Sequence, residues 1–340
     1  MRDIARDLKV SAITVSKALR GHADISPATR DRVLQRIQEL GYEPNLAARS
    51  LATGRSFIMG LIVPDLVHPF FGEIAKGISK VLRSKGYSLL ISSSEEDPEL
   101  ERTELDALLA RQVDAILLAT TFNSATQKGN PFERIAGNNV PLVLLDRDVP
   151  GVQAVFVGVN DEEAGFLATR HLLDRGCRRI AHLAGPDIST GRGRFKGYRR
   201  ALEAAGFKVR PEYVIRISSA DSRGAENGFE ATQRLLACNP PPDGIFCFND
   251  ESATGTLRSI LDHGLRIPED IAVIGVGNMT NTDFLKVPLT TIDQNSFEMG
   301  QTAALTALDL IASMSGPPHS EPKLVPVRLI ERASTFNPAR

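Results

Sequence analysis

From residue 57 onward, short apolar runs alternate with helical segments that end in glycine, and this alternation restricts the possible folds more than any other feature. Gly86, Gly176 and Gly264 each end a predicted helix shortly before the next apolar run. Repeated helix–glycine–strand units are typical of parallel sheets with helices on both faces. The sequence therefore predicts a doubly wound α/β body with its ligand site at the carboxyl ends of the strands. The predicted strands are 57–63, 88–92, 115–119, 142–145, 180–183, 244–248 and 271–276.

The first 43 residues follow a different pattern, that of three short helices. Ser11 is a good N-cap for the second helix, and Ser26 followed by Pro27 is a good start for the third. Apolar residues recur every three or four positions in each helix, which predicts one buried face per helix. The predicted inward-facing residues are Ile4, Ala5 and Leu8, then Val15, Ala18 and Leu19, then Val33, Ile37 and Leu40.

The outward face of the second helix carries small, polar and cationic side chains. Such side chains can enter a major groove, and a cation can reach guanine or a phosphate. The first two helices therefore predict a helix-turn-helix, although a small structural bundle explains the same pattern equally well. The outward residues are Ala12, Ile13, Ser16, Lys17 and Arg20, with Thr14 near the base of the helix.

Charge is distributed unevenly along the chain, although the formal total is only −1. Residues 1–56 carry ten basic and six acidic side chains, a net charge of +4, whereas the remaining residues carry −5. A basic head on an acidic body is the asymmetry expected when one end meets a polyanion. Taken alone, the excess is small enough to be a solvated face.

Residues 44–54 predict a helix of about two turns that begins at Pro44-Asn45 and ends at Gly54. This segment has no apolar core of its own, and a helix this short is marginal in water. We therefore expect it to form when a second copy and DNA hold it.

These motifs together resemble the lactose-repressor/galactose-repressor family of bacterial transcription regulators. The resemblance rests on Ile-Ala-x-x-x-x-Val-Ser-x-x-Thr-Val-Ser from Ile4, Ser-Pro-x-Thr-Arg-x-Arg-Val from Ser26, Leu-Gly-Tyr-x-Pro-Asn from Leu40, and Ala-Arg-Ser-Leu from Ala48. It implies a helix-turn-helix domain over 1–43, a hinge helix and linker over 44–56, and a two-lobed type I periplasmic-binding-protein-like domain over 57–340. The implied lobes are about 57–158 with 293–323, and 159–292 with 324–340.

The resemblance implies that the head binds an operator in double-stranded DNA, with the second helix in the major groove and the hinge helices of a homodimer in the minor groove. Leu51 would wedge between base steps, with Ala48 beside it. This chain departs from the family at the turn, where Lys9 stands in place of the usual Gly, at a cost of about 1 kcal/mol for left-handed backbone. The implied DNA contacts are Ser11, Ala12, Ile13, Thr14, Ser16, Lys17, Arg20, Ser26, Thr29, Asn45, Ala48 and Leu51.

Strand-end positions and the resemblance together predict an effector site in the cleft between the lobes, with a sugar or sugar derivative as the expected ligand. Phe70 and Phe71 could stack on the ligand or belong to a packed loop, and Asp146 and Arg147 could bind hydroxyls or form an ion pair. Asp250 could instead cap a helix. Gly277 stands where the family often has Asp, so ligand identity does not transfer. The predicted site residues are His68, Phe70, Phe71, Asp146, Arg147, Arg194, Asn249, Asp250 and Gln294.

Other classes of function are poorly supported by the sequence. It contains no Gly-x-x-x-x-Gly-Lys-Ser/Thr, no Gly-x-Ser-x-Gly and no metal-ligand spacing among its three Cys and six His, so we expect no enzyme, cofactor or metal. A periplasmic solute-binding module would need a signal peptide, but the N-terminus is charged and no apolar run is long enough for a membrane. We expect a cytoplasmic protein, and a dimer because the C-terminus has no leucine heptad.

Overall fold

The computed structural model describes residues 2–19, 24–41, 50, 53–122, 131–217, 223–313 and 321–336. The chain divides into two compact units, residues 1–56 and residues 57–340. Each unit has its own hydrophobic core.

The first unit contains α1 (Arg2–Asp7), α2 (Ala12–Leu19) and α3 (Pro27–Glu39). Its core is small and includes Ile4, Val15 and Val33, all at most 1% exposed. Leu40 was expected to face inward, but it is the C-cap of α3 and is 45% exposed. The interior of three short helices is too small to cover a side chain that follows the last helical residue.

The second unit is built on two six-stranded sheets, as the alternating pattern predicted. The first sheet is parallel, in the order β11-β5-β4-β3-β1-β2. Its strands are β1 (Ile58–Val63), β2 (Ser88–Ser93), β3 (Ala115–Leu118), β4 (Leu142–Leu145), β5 (Val155–Val159) and β11 (Lys323–Val325).

The second sheet has the order β12-β10-β9-β8-β6-β7, and only β12 is antiparallel to its neighbour. Its strands are β6 (Ile180–Ala184), β7 (Val214–Arg216), β8 (Gly244–Cys247), β9 (Ala272–Val276), β10 (Thr290–Asp293) and β12 (Arg328–Ile330). Because the strands other than β12 run parallel, their carboxyl ends lie at one edge of each sheet, where the connecting loops can form a ligand site.

Helices cover both faces of each sheet. In the first lobe, α4 (Pro69–Ser84) and α11 (Ser296–Ser313) pack on one face, with α5 (Pro98–Ala110) and α6 (Phe132–Gly137) on the other. In the second lobe, α7 (Asp161–Asp174) and α8 (Ser189–Ala204) pack opposite α9 (Gly224–Leu236) and α10 (Asp250–Asp262). Gly86, Gly176 and Gly264 end α4, α7 and α10 at φ +71°, +93° and +74°, which is why these helices stop there.

The chain passes between the lobes after β5, after β10 and after β11. These strands end at Val159, Asp293 and Val325, one or two residues beyond the crossings expected from the sequence. Five strands lay outside the sequence prediction: β5, β7, β10, β11 and β12. Three of them have only three residues, and β5 follows β4 without an intervening helix, so the helix–strand alternation does not indicate it.

Candidate functional site

A cavity of about 390 Å³, open to solvent, lies at the carboxyl ends of the strands of both sheets. Eight of the nine predicted effector residues line it, together with five residues that the sequence analysis did not select. The lining residues are His68, Phe70, Phe71, Asp146, Arg147, Ile188, Thr190, Arg194, Phe248, Asn249, Val276, Gly277 and Gln294.

The first residues of α4 supply the aromatic side chains at one end of the cavity. His68 is the N-cap of this helix, since its Nδ1 accepts a hydrogen bond of 3.3 Å from the Phe70 N–H. The rings of Phe70 and Phe71 are nearly perpendicular, with centroids 5.2 Å apart, and both side chains are buried. Burial lowers the pKa of His68 to about 4, so this ring is neutral at pH 7. These rings thus form a fixed apolar wall beside an uncharged imidazole.

Two buried polar groups in the cavity lack hydrogen-bond partners. Asp146 Oδ1 and Gln294 Nε2 have none among the described residues, although these residues are only 7% and 3% exposed. The two side chains lie close enough for the Gln294 amide to lower the pKa of Asp146 slightly, but burial and the charge of Asp161 raise it more. An unpaired buried polar group is costly, so a ligand that hydrogen-bonds both groups would remove that cost.

Arg194 lies against the cavity but already has protein partners. Its Nε donates to Asp161 Oδ1 at 2.9 Å, and its Nη1 donates to the Phe248 carbonyl at 2.8 Å. The guanidinium also lies 4.6 Å from the centre of the Phe248 ring. Its Nη2 has no partner within the described part of the chain and remains able to donate to a ligand. Arg194 is therefore both a structural ion-pair partner and a ligand candidate.

Arg147 forms the structural ion pair that the sequence analysis left open as an alternative. Its guanidinium makes two hydrogen bonds to Glu96, of 2.7 and 3.0 Å, and is 5% exposed. Asp146, which precedes it, has φ +59°, an uncommon conformation for a non-glycine residue. The strained Asp146 backbone and the Arg147 ion pair together fix the loop after β4 against the cavity.

Asn249 lines the cavity, as predicted, whereas Asp250 neither lines it nor caps a helix. Asn249 caps α10, with its Oδ1 accepting from the Ser252 N–H at 2.9 Å. Contrary to the expectation for a predicted effector residue, the Asp250 side chain is absent from the cavity lining. Its carboxylate is fully buried and accepts from the Thr291 hydroxyl at 2.6 Å and the Met279 N–H at 2.9 Å. It stabilises the loop after β9.

The cavity wall formed by Gly277 separates the ligand space from Asp250. A Cβ on Gly277 would lie 3.5 Å from Asp250 Oδ2, and the φ of +140° excludes most other side chains. Three of the residues missed from the sequence lie at strand ends: Phe248 precedes Asn249, and Val276 and Gly277 end and follow β9. Inspection of both neighbours at each strand end would have found these three. Ile188 and Thr190 lie at the start of α8, four and six residues after β6, where no strand-end rule selects them.

Next to the cavity, a hydrogen bond between described residues joins the two lobes. The Asp148 N–H, after β4, donates to Ser189 Oγ at the start of α8, at 2.9 Å. A second opening of about 300 Å³ lies there and shares Arg147 and Ile188 with the main cavity. The lobes are therefore in contact on this side of the cleft.

In the first unit, α2 begins with a side-chain cap. Ser11 Oγ accepts from the Thr14 N–H at 3.0 Å, and the two hydroxyl oxygens are 2.9 Å apart. Val15 is buried, as predicted, whereas Ala12 is exposed and Ile13 is 68% exposed. Lys9 has φ +53°, so the turn before α2 is left-handed without a glycine.

The remaining predicted DNA contacts fall into two groups. Lys17 is half-buried and forms an ion pair with Asp24, and Ser26 caps α3 by accepting from the Thr29 N–H at 3.3 Å. The other predicted contacts lie outside the described residues: the Ser16 side chain, Arg20, Asn45, Ala48 and Leu51.

No helix among the described residues is long and apolar enough to cross a membrane. In the same residues, no three His, Cys, Asp or Glu side chains are grouped so that they could hold a metal ion.

Comparisons with known proteins agree with both units. Residues 1–45 match the lacI family of bacterial regulatory proteins, and residues 169–335 match the periplasmic binding protein-like domain. The solved lac repressor dimer, bound to operator and an anti-inducer, is similar over 98% of each chain, with 26% identity and a TM-score of 0.82. The solved complex of the regulator CelR with cellobiose covers 97% of this chain and 98% of that chain, with 29% identity and a TM-score of 0.71.

Among curated proteins, the HTH-type transcriptional repressor CytR of Escherichia coli K12 is 34% identical, over 98% of this chain and 96% of that protein. Similarity of this extent spans the head and both lobes together. The chain therefore belongs to the lacI family of bacterial regulatory proteins and is a ligand-responsive transcriptional repressor.

Proposed function

We propose that this repressor binds a pseudo-palindromic DNA operator as a homodimer and that a small molecule in the interlobe cavity controls its affinity for DNA. The observation that carries the proposal is a cavity whose wall includes an unpaired acceptor, Asp146 Oδ1, and an unpaired donor, Gln294 Nε2. A cavity lined by buried polar groups that lack protein partners is expected of a site that a ligand completes. The exposed outer face of α2 supports the DNA half of the proposal.

A sugar or sugar derivative is the effector class that we propose. Hydroxyl groups both donate and accept hydrogen bonds, so one ligand could satisfy the Asp146 carboxylate and the Gln294 amide together. The rings of Phe70 and Phe71 offer an apolar wall to the C–H face of a sugar ring. The CelR complex with cellobiose supports this class by similarity.

Ligand binding would act through the relative position of the two lobes. The cavity is formed by loops from both sheets, and three chain crossings join the lobes, so a ligand that contacts both favours a particular lobe arrangement. If DNA binding favours one arrangement more than another, ligand and DNA affinities are coupled by the same factor in both directions. No part of this mechanism requires a catalytic step, and we propose none.

The hinge segment over 44–56 would be the DNA-side partner of this change. We propose that Leu51 wedges into the minor groove beside Ala48, with Asn45 supporting the backbone. The protein would act in the cytoplasm, where bacterial operators are located.

The proposal is tested by measuring operator affinity with and without a panel of sugars and nucleosides, in the wild type and in Gln294→Leu and Asp146→Asn. Asp146 Oδ1 and Gln294 Nε2 form no well-aligned hydrogen bond among the described residues, so each variant loses only the weak interaction between the two side chains. We expect an active ligand to shift wild-type affinity by at least tenfold and to shift both variants much less, with DNA affinity in the absence of ligand unchanged.

Gln233, on α9 away from the cavity, provides a matched control as Gln233→Leu. This control should respond as the wild type does. If both cavity variants kept the full response, the cavity assignment would be wrong. If the protein bound every duplex equally, the operator proposal would be wrong.

A further inference from the structure

The first turn of α2 presents an apolar surface. Ile13 is 68% exposed, more than the other exposed large apolar residues described in the first unit, Leu34 at 41% and Leu40 at 45%. Ala12 beside it is also exposed. Neither side chain has a hydrogen-bond donor or acceptor.

The polar side chains around this surface are held close to the protein. The hydroxyls of Ser11 and Thr14 lie 2.9 Å apart in the N-cap, so they are kept at the base of the helix. The Lys17 ammonium is drawn to Asp24, which lies between α2 and α3. Ile13 is therefore the side chain that projects from the first turn.

We propose that Ile13 determines operator specificity by contacting the 5-methyl group of a thymine in the major groove. The four base pairs expose several hydrogen-bonding groups in this groove, but thymine alone exposes a methyl group. Isoleucine cannot hydrogen-bond, so its contact with any other base edge would leave a donor or acceptor of that base without a partner. Contact with the thymine methyl group instead removes apolar surface from water. This inference rests on the proposed placement of α2 in the major groove.

The position of Lys17 adds a constraint on the operator. Lys17 is four residues after Ile13, so the two side chains share one helix face with Cβ atoms about 5–6 Å apart. Base pairs are about 3.4 Å apart along the duplex. The thymine that contacts Ile13 should therefore lie within about two base pairs of any guanine or phosphate that Lys17 contacts.

The test begins with selection of operators from a random duplex library by the purified full-length protein. Each thymine of the selected site is then replaced, one at a time, by deoxyuridine, which removes only the methyl group. We expect one thymine in each half-site at which the replacement weakens wild-type binding about fourfold, the effect of losing one buried methyl contact. The remaining replacements should have little effect.

Ile13→Ala separates this contact from other causes of sensitivity. It is tolerated structurally because the side chain is exposed and alanine favours helix. At the sensitive thymine, Ile13→Ala should bind the thymine and deoxyuridine operators equally, whereas Leu34→Ala, at another exposed apolar residue of the head, should keep the wild-type difference. Equal losses in Ile13→Ala and wild type would overturn the assignment.

Two further arms identify the chemical group. Changing the sensitive pair to C·G should weaken binding, and 5-methylcytosine at that position should restore part of the loss. Ile13→Gln replaces the apolar side chain by one that hydrogen-bonds, so it should also bind the thymine and deoxyuridine operators equally. A methyl preference that persists in Ile13→Gln contradicts the inference, while failure to select any operator contradicts the proposed function instead.

Discussion

Asp250 illustrates how a residue can lie next to a cavity without lining it. It follows β8 at the carboxyl edge of the sheet, where ligand-binding side chains are expected. The carboxylate nevertheless turns away from the cavity and binds the Met279 N–H and the Thr291 hydroxyl. A strand-end position determines where the backbone lies, but the direction of the side chain depends on which buried donors surround it.

Burial raises the pKa of Asp250 to about 6 from 3.8, with Thr291 and Met279 offsetting part of the effect. Because the folded-state pKa lies above the unfolded one, the protonated form favours folding. This stabilisation is complete below about pH 4 and is lost as the pH rises through 6, a difference of about 3 kcal/mol at most.

We expect Asp250→Asn to remove this dependence. The Asn amide can accept from the Met279 N–H and donate to the Thr291 oxygen, so both contacts survive. Urea unfolding at pH 5 and pH 7.5 measures the effect: the free energy of unfolding of the variant, relative to wild type, should be higher at pH 7.5 than at pH 5. An equal difference at both pH values would show that Asp250 keeps an ordinary pKa.

At the scale of helices, three pairs in the second unit approach each other through glycine. A Cβ on Gly77 of α4 would lie 2.2 Å from the Phe297 carbonyl oxygen of α11, and a Cβ on Gly300 would lie 2.1 Å from that of Ile74. Pairs α7–α8 and α9–α10 repeat this reciprocal arrangement. The glycines involved in the latter two pairs are Gly165, Gly197, Gly228 and Gly255.

Two glycines of α4 give a matched test of this packing. Gly77→Ala should destabilise the protein by about 1–3 kcal/mol, because backbone atoms of α11 occupy the space of the new methyl group. Gly72→Ala, on the same helix with nothing within 4 Å, should be neutral or stabilise by up to about 1 kcal/mol. Thermal unfolding of both variants measures the difference, and similar midpoints would show that the helices can separate without cost.

At the scale of the whole molecule, the homodimer remains a proposal, and Phe284 offers a test of it. This phenylalanine is 85% exposed at the end of the short 3₁₀ helix Thr282–Phe284. Its neighbour Asp283 forms an ion pair with Arg332, with 3.1 Å between Asp283 Oδ1 and Arg332 Nε. This ion pair anchors the loop that carries the exposed ring. A large exposed ring on a fixed loop is more typical of an interface than of a solvated surface.

We expect sedimentation to give the mass of two chains for the wild type and of one chain for Phe284→Glu, because a buried charge opposes association. Leu305→Glu, at an exposed position of α11, should remain a dimer. A wild-type mass near four chains would contradict the expectation drawn from the absence of a leucine heptad. An unchanged mass in Phe284→Glu would place the interface elsewhere.

Local sequence patterns determined much of this protein. The glycine that ends each helix, the apolar runs and the Ser26-Pro27 start are short-range signals, and they predicted seven strands, the three head helices and the parallel architecture. Eight of the nine predicted effector residues line the cavity, because parallel strands bring their carboxyl ends to one edge. The resemblance of the head motifs predicted the family that the comparisons confirmed.

Tertiary structure alone decided the features that depend on residues distant in sequence. The direction of the Asp250 carboxylate was determined by Thr291 and Met279, and the partners of Arg147 and Arg194 lie 51 and 33 residues away. The polar strand β10 is fully buried because neighbouring strands surround it, although its sequence, Thr-Thr-Ile-Asp, indicates no such burial. Backbone propensity acts over a few residues, whereas burial and hydrogen bonding depend on the completed fold.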